Sequence, residues 1–253
     1  MSQIEIPAAF YRGGTSKGVF FHQKDLPEEN EHQNEIFLQV IGAPDPYQRQ
    51  LNGMGGGISS LSKIVIISPP SKDNADVDYT FGQVAVDKPI VDYNTNCGNL
   101  SSAVGPFAID EGLVQLNKNE GTNTIRLHNT NTGVIIHAHV PVINGKAAIK
   151  GEYQIQGVNG TGACIRLEYL KPGGATTGKL LPLEEKCKKL VEKYSNVVLY
   201  SLSKNVGEHN AVMAGLNKCT GDYAAIMDDD LQHSADSLLK LIQFGIKEKN
   251  NFD

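Results

Sequence analysis

The composition of the chain changes near residue 182. Residues 1–182 contain 22 of the 26 glycines and all four arginines, whereas residues 183–253 contain four glycines, nine lysines and no arginine. Glycine-rich sequence between short apolar runs is typical of strands joined by turns, and lysine-rich sequence with helical apolar spacing is typical of surface helices. The change predicts two domains with different folds, at residues 1–182 and 183–253. A single fold that passes from sheet to helix is the alternative.

The overall composition limits the class of protein. The chain has 253 residues, 40% of them hydrophobic, which is enough for a buried core. Its formal net charge of −5 gives no electrostatic reason to expect a nucleic-acid partner. Apolar runs stay shorter than the roughly 18 residues that a membrane span needs, and the first residues lack the pattern of a secretory signal. The four cysteines include no C-x-x-C pair, which argues against a disulfide scaffold or zinc ribbon and for reduced thiols in the cytoplasm.

The apolar pattern of residues 1–182 predicts short strands around two helices. Strands are expected, from alternation or from β-branched runs, at residues 4–10, 18–22, 63–67, 77–86, 124–128 and 133–140. Helices are expected at residues 31–41 and 99–111, where apolar residues recur at helical spacing. The second of these helices is the candidate centre of the core.

Residues 183–253 alternate between helix and strand. The pattern predicts helices at residues 183–194, 208–217 and 234–247, and strands at residues 197–202 and 223–227. This order is typical of a parallel α/β sheet. Two strands are too few for a stable doubly wound domain, so we expect a partial α/β fragment.

Cys97 lies just before the predicted helix at residues 99–111. Its thiol is therefore expected near the free N–H groups and the positive end of the helix dipole, which favours a thiolate and suits an anionic substrate. Gly98 would let a ligand approach the backbone closely. A thiolate in this place can remove a proton or attack a carbon atom. A buried structural cysteine is the alternative.

Lys63 begins a predicted strand shortly after the glycine-rich residues 53–57. A lysine in this position acts as a general base if burial lowers its pKa. A solvated lysine at a strand end is the alternative. Arg12 and Ser16 lie on the turn-prone segment RGGTSK, which offers cationic and hydroxyl groups to carboxylates.

Three separated motifs resemble the PrpF family. They are FYRGGTSKGVFF at residues 10–21, NTNCGNLSSAVGPFA at residues 94–108 and GGATTGKLLP at residues 173–182. Members of this family are 2-methylaconitate cis-trans isomerases, related in fold to diaminopimelate epimerase. The resemblance spans residues 4–182 and implies an α+β fold in which a mixed sheet wraps round a central helix.

The resemblance also implies a reaction and the residues that carry it. It implies a cofactor-free cytoplasmic isomerase that removes and returns a proton to shift the double bond of an unsaturated tricarboxylate such as 2-methylaconitate. The corresponding pathway is the methylcitrate cycle of propionate catabolism. The family's catalytic lysine and cysteine correspond to Lys63 and Cys97. Carboxylate-binding groups are expected at four further positions, Arg12, Ser16, Gly98 and Asn99.

The chain resembles only the first half of that family. Family members have two pseudo-symmetric halves with the active cleft between them, and the second half is not found after Pro182. One wall of the cleft would then be missing, which leaves the site wet and weakens the stabilisation of developing charge. The apolar surface that the second half would cover predicts self-association.

A second candidate site follows the predicted strand at residues 223–227. Asp228 and Asp230 lie at the carboxyl end of this strand, which is the edge where α/β sheets bind ligands. Their spacing suits a divalent cation held together with phosphate oxygens. An acidic loop or helix cap is the alternative.

The surrounding motifs resemble family-2 glycosyltransferases. SKNVGEHNAVMAGLN at residues 203–217 and TGDYAAIMDDDLQH at residues 220–233 carry the resemblance, which spans residues 184–250. It implies a nucleotide-sugar partner and a partial GT-A-like fold, with Asp228 and Asp230 as ligands of Mg²⁺ or Mn²⁺. The first strand of that fold is not found upstream, and its catalytic base is not found downstream.

Segments of two unrelated families thus meet near residue 182. Complete domains are usually joined by an exposed linker, and residues 180–185 give almost none. The sequence therefore predicts a truncated chimera. Its leading function is isomerisation of an unsaturated tricarboxylate, because the first segment is longer and contains both catalytic residues. A glycosyltransferase fragment and an inactive product are the alternatives.

Overall fold

The computed structural model describes the chain at residues 4–170, 184–200, 208–221, 224–226, 238–240 and 242–244. Contacts divide the chain into two units, Met1–Pro182 and Leu183–Asp253. Nearly all of the described secondary structure, and every described strand, belongs to the first unit.

The first unit is built on one mixed sheet of nine strands. The strands are β1 (Ala9–Gly13), β2 (Ser16–His22), β3 (Lys63–Ser68), β4 (Val77–Val84), β5 (Val91–Asp92), β6 (Gly121–Asn129), β7 (Ile135–Ile143), β8 (Lys146–Ala147) and β9 (Arg166–Tyr169). They lie in the order β1-β2-β3-β4-β6-β7-β8, with β5 also paired to β4 and β9 also paired to β7. The pairs β2–β3 and β4–β6 are parallel, and the other pairs are antiparallel.

Two helices, α1 (Asn30–Ile41) and α2 (Gly98–Asp110), pack on opposite faces of this sheet. Helix α2 contacts β1 and β2 at one end of the sheet and β7, β8 and β9 at the other, so the sheet curves round it. Its apolar side chains are all buried, namely Leu100, Ala103, Val104, Phe107, Ala108 and Ile109. This arrangement confirms the predicted fold class for residues 1–182, a mixed sheet wrapped round a central helix.

The two helices explain why β3 is apolar at nearly every position. Val65 and Ile67 pack with α2, whereas Ile64 and Ile66 pack with α1. Because successive side chains of a strand point to opposite faces, a strand covered on both faces is apolar throughout. By the same alternation, the side chain of Lys63 lies on the α2 face.

The structure confirms both predicted helices of the first unit to within one residue, and it corrects the first predicted strand. Residues 4–8 are not in a strand, and β1 begins at Ala9. The reason is the hairpin with β2, in which Gly13 pairs with Ser16 and Gly14 adopts a φ of 53°. The partner strand determines where β1 lies, and the apolar residues before it do not.

In the second unit, helices α3 (Glu184–Lys193) and α4 (Glu208–Leu216) confirm two predicted helices. Residues 197–200 and 224–226 are the described parts of the two predicted strands, and they are not in strands. A strand forms only where a neighbour satisfies its N–H and C=O groups, and no described strand lies in this unit. Across the described parts of the chain, no helix is long and apolar enough to cross a membrane.

Phe107 provides a test of the central role of α2. Its ring is 1% exposed and packs against Tyr11, Phe20 and His22 at centroid distances of 5.7, 5.4 and 5.1 Å. We expect Phe107→Ala to lower the free energy of unfolding by about 3–5 kcal/mol, because it leaves a cavity at the centre of the core.

Urea unfolding followed by near-ultraviolet circular dichroism measures this change. Leu51→Ala is the matched control, because Leu51 is 72% exposed and its truncation should change the free energy by less than about 0.5 kcal/mol. Equal effects of the two substitutions would show that α2 is not the centre of the core.

Candidate active site

Strands β2, β3 and β4 place the polar side chains of Ser16, Lys63 and Gln83 on the α2 face of the sheet. Lys63 pairs with Gln83 of β4 on one side and with Gly18 of β2 on the other. Ser16 lies two residues before Gly18 and therefore shares its face. The neighbouring positions on the same face are apolar core residues, Phe20, Val65 and Phe81. Ser16, Lys63 and Gln83 thus form a polar group at the edge of an apolar core.

Cys97 faces this group from the N-terminus of α2. It is the N-cap residue, with φ −108° and ψ 100°, and its side chain makes no capping hydrogen bond. Instead, its carbonyl oxygen accepts hydrogen bonds from the backbone N–H and the hydroxyl of Ser101, both at 3.0 Å. The half-buried thiol lies 3.7 Å from the hydroxyl oxygen of Ser16 and can donate to it. The thiol is therefore free of the helix and directed towards the sheet.

Lys63 is 8% exposed, so little water reaches its side chain. Burial lowers the pKa of Lys63, and the nearby Cys97 offsets part of that effect. The amine donates a hydrogen bond to the side-chain carbonyl of Gln83 and lies 5.2 Å from the centroid of the Phe81 ring. These contacts support the ammonium form as well, so the side chain keeps partners in both protonation states.

The β1–β2 turn packs tightly against the first residues of α2. A Cβ on Gly13 would lie 2.4 Å from the carbonyl oxygen of Asn99 and 2.9 Å from the Cα of Leu100. The side-chain amide of Asn99 donates to the hydroxyl of Thr15 at 3.1 Å. This contact positions the N-terminus of α2, and with it Cys97, relative to the strand that carries Ser16.

Arg12 lies in β1, directly before this turn, and its side chain is exposed. Its guanidinium donates to the carbonyl oxygen of Gly14 at 2.7 Å. This bond uses one of five N–H donors, so the others remain for a carboxylate.

Two tyrosines extend the polar surface around Cys97. The hydroxyl of Tyr79 lies 2.8 Å from that of Ser101 and donates to Asn96 at 3.3 Å. Tyr169, from β9, lies close enough to Cys97 and Ser101 to interact with both. Burial raises the pKa of each tyrosine, so both hydroxyls stay protonated and can donate hydrogen bonds.

The structure brings the predicted isomerase residues to one end of α2. Lys63, Cys97 and Ser16 lie together, and Gly98 and Asn99 are the first residues of α2 beside them. Arg12 pairs with Lys17 in the hairpin, and its guanidinium lies against the turn at Gly14. The sequence interpretation missed Gln83, Ser101 and Tyr169. The pairing of Lys63 with Gln83 could have been found only from the register of β3 and β4, which depends on the fold.

The predicted metal ligands Asp228 and Asp230 lie outside the described residues. Within the described part of the chain, no group of three or more histidine, cysteine, aspartate or glutamate side chains could hold a metal ion.

Two family models match the chain. The model described as "PrpF protein" matches residues 3–202, and the model described as "Glycosyl transferase family 2" matches residues 182–252. The first covers more than half of the chain and includes every residue of the site at the N-terminus of α2. The second covers Asp228 and Asp230.

Curated relatives match the first of these segments. The 2-methyl-aconitate isomerase of Cupriavidus necator is 46% identical over 182 residues, which are 70% of this chain and 46% of that protein. The 3-methylitaconate isomerase of Eubacterium barkeri is 45% identical over 71% of this chain and 46% of its own length. The 4-oxalomesaconate tautomerase of Pseudomonas putida is 43% identical over 72% of this chain and 49% of its own length.

A solved structure matches the same segment. The crystal structure of methylitaconate-delta-isomerase has a TM-score of 0.66 and 44% sequence identity, over 71% of this chain and 45% of that one. The chain therefore spans about half the length of the curated relatives and of the solved structure that it matches.

Gly13 and Gly98 flank the site and should respond differently to an added methyl group. At Gly13 the methyl would overlap the backbone of α2, whereas at Gly98 it would meet only the Tyr169 hydroxyl, at 3.5 Å. We expect Gly13→Ala to lower the free energy of unfolding by about 1–3 kcal/mol, because the contact is overpacked. Gly98→Ala should change it by less than about 1 kcal/mol, since alanine suits a helix.

Urea unfolding of the two variants measures the difference, and each variant is the control for the other. Equal losses would contradict the close contact between Gly13 and the backbone of α2. A stable Gly98→Ala variant would also show that the fold does not require a glycine beside Cys97, which leaves ligand approach as the reason for it.

Proposed function

This chain belongs to the PrpF family, and we propose on that premise that residues 1–182 form a PrpF-type isomerase N-terminal domain. The proposed reaction shifts the double bond of an unsaturated tricarboxylate such as 2-methylaconitate, without a cofactor. The observation that carries the proposal is the buried Lys63 amine, which faces the Cys97 thiol at the N-terminus of α2. The identity of 43–46% to curated isomerases and a tautomerase supports it.

The proposed chemistry is a proton transfer between two carbon atoms of the substrate. A base removes a proton from the carbon next to the double bond, and the electron pair left behind forms a new double bond as the old one opens. An acid then returns a proton to the far carbon. Lys63 and Cys97 supply the base and the acid. One turnover leaves Lys63 protonated and Cys97 deprotonated, and passage of that proton from Lys63 to Cys97, directly or through solvent, restores the starting state.

The site also suits the charge of the substrate. The free N–H groups at the N-terminus of α2 and its positive dipole end favour a carboxylate and the negative charge that develops when the proton leaves. We assign substrate binding to the groups around that end, namely Arg12, Ser16, Gly98 and Asn99. The Arg12 guanidinium has N–H groups left to pair with a carboxylate.

The test is an isomerisation assay in heavy water. The chain is incubated with 2-methylaconitate, and isomerisation and deuterium uptake are followed by NMR. We expect Cys97→Ser to lower the rate at least about 100-fold, because general acid–base groups contribute that much or more. Cys164→Ser is the matched control. Cys164 is exposed and lies outside the site, so this substitution makes the same chemical change away from Lys63.

The rate should also rise with pH as Lys63 loses its proton, with a midpoint below the ordinary lysine value of 10.5. No isomerisation above the Cys97→Ser background, or equal losses in the two cysteine variants, would refute the proposed function.

For residues 183–253 we propose a partial domain of glycosyltransferase family 2 that binds a nucleotide-sugar through Asp228, Asp230 and a divalent cation. The observation that favours it is the family-model match over residues 182–252, which includes both aspartates. The two matches overlap at residues 182–202, which favours a junction between two families near residue 182. We further propose that this chain acts in the cytoplasm and self-associates through apolar surface.

Isothermal calorimetry of the chain with UDP-glucose or GDP-mannose and Mn²⁺ tests the second candidate. We expect binding that depends on Mn²⁺, with an affinity that falls at least about tenfold in Asp228→Asn, because a carboxylate ligand is lost. Asp253→Asn is the control for the change of charge. Heat that does not depend on the metal, or is the same in both variants, would rule this candidate out.

A further inference from the structure

Gln83 is the hydrogen-bond acceptor that the fold places beside the Lys63 amine. The two residues are direct cross-strand partners on β3 and β4, so their side chains project from the same face of the sheet. The Lys63 amine donates to the Gln83 side-chain carbonyl. The contact between Lys63 and Gln83 therefore follows from the pairing register of β3 and β4.

The orientation of the Gln83 amide is determined by its other end. Its NH₂ group lies 3.1 Å from the carbonyl oxygen of Ser59, 3.0 Å from that of Ser62 and 3.3 Å from that of Val84. A flipped amide would point its own carbonyl at three carbonyl oxygens and its NH₂ group at the lysine amine. The carbonyl of Gln83 must therefore face Lys63.

An uncharged hydrogen-bond acceptor can hold a lysine nitrogen without favouring its charged form. An amide carbonyl accepts a hydrogen bond from an ammonium and from a neutral amine alike, so it holds the nitrogen in place in both states. When the amine is neutral, donating one N–H to Gln83 turns its lone pair away from that carbonyl. A carboxylate in the same place would instead favour the ammonium and keep the lone pair occupied by a proton.

Other groups also lie near Lys63. Cys97 faces it from α2, and Tyr169 of β9 lies beside Cys97. From β4 it meets the uncharged ring of Phe81. Asp92 of β5 pairs with Gln83 from the far side, and its carboxylate accepts two hydrogen bonds from Asn94, both at 2.8 Å. Gln83 thus separates this carboxylate from Lys63.

We propose that Gln83 is the positioning residue of the site: it anchors the Lys63 nitrogen by a hydrogen bond and, being uncharged, leaves that nitrogen able to give up and take back a proton. This role rests on the proposed isomerase function of Lys63. Gln83 acts through Lys63 and not on the substrate.

Gln83→Glu is the decisive variant, because it keeps the shape of the side chain and adds one negative charge. Its second oxygen also replaces the NH₂ group that faces the carbonyl oxygens of Ser59, Ser62 and Val84. We expect it to raise the pKa of Lys63 by at least about one unit, since an opposite charge at hydrogen-bond distance shifts a titration by one to three units. The midpoint of the pH–rate profile should move up by the same amount. At neutral pH the rate should fall about tenfold, and it should recover at alkaline pH.

Gln115→Glu is the matched control. Gln115 is exposed and lies outside the site, so this variant makes the same change in net charge without a contact to Lys63. Its profile should coincide with that of the unmodified chain. If Gln83 does not contact Lys63, the variant should leave the midpoint unchanged, and a loss of packing alone would lower the rate equally at every pH.

A readout that does not need turnover separates this inference from the proposed function. In protein labelled with ¹³C at the lysine ε-carbon, the NMR signal of Lys63 is assigned by its loss in Lys63→Arg and followed against pH. A higher midpoint in Gln83→Glu than in Gln115→Glu supports the positioning role even if the isomerisation assay fails. Equal midpoints would overturn it even if the chain is an active isomerase.

Gln83→Met keeps the test decisive if the glutamate variant does not fold. It removes the acceptor without adding charge, so the midpoint of Lys63 should stay within about half a unit while kcat falls at least about tenfold and KM changes little. A kcat equal to that of the unmodified chain would overturn the proposal.

Discussion

The contact between the β1–β2 turn and the first residues of α2 is the constraint on which the site depends. Gly13 has no room for a side chain because the backbone of Asn99 and Leu100 occupies that space. Helix α2 is enclosed by both ends of the sheet, so it has little freedom to slide or turn. Its N-terminus, which carries Cys97, is therefore held opposite the strand that carries Lys63.

The same enclosure sets the electrostatics of the site. Lys63 sits at the edge of an apolar core, and burial disfavours its charge. The penalty weakens the fold: it is fully present at pH below the lowered pKa of Lys63 and disappears as the pH rises to the ordinary lysine value. The Gln83 carbonyl and the Phe81 ring reduce it without adding a negative charge. Burial of the Lys63 amine thus lowers the stability of the first unit and leaves an amine that can exchange a proton.

Much of the first unit could be predicted from local pattern. The helices at residues 30–41 and 98–110 show apolar spacing, and β3 is a β-branched run, so these elements are predicted well. The strand expected at residues 4–10 and the strands expected after residue 196 were predicted less well. Strands depend on partners that are distant in sequence, and a local pattern does not identify a partner.

The sequence alone determined the candidates: a lysine at the start of an apolar strand, a cysteine before an apolar helix, and motifs that resemble one family in residues 4–182 and another in residues 184–250. Only the tertiary structure decided that Lys63 and Cys97 face each other, that the amine is buried, and that its acceptor is Gln83, 20 residues away on the next strand. The physical reason is that burial and hydrogen-bond partners follow from strand register and helix packing, which join residues far apart in the chain.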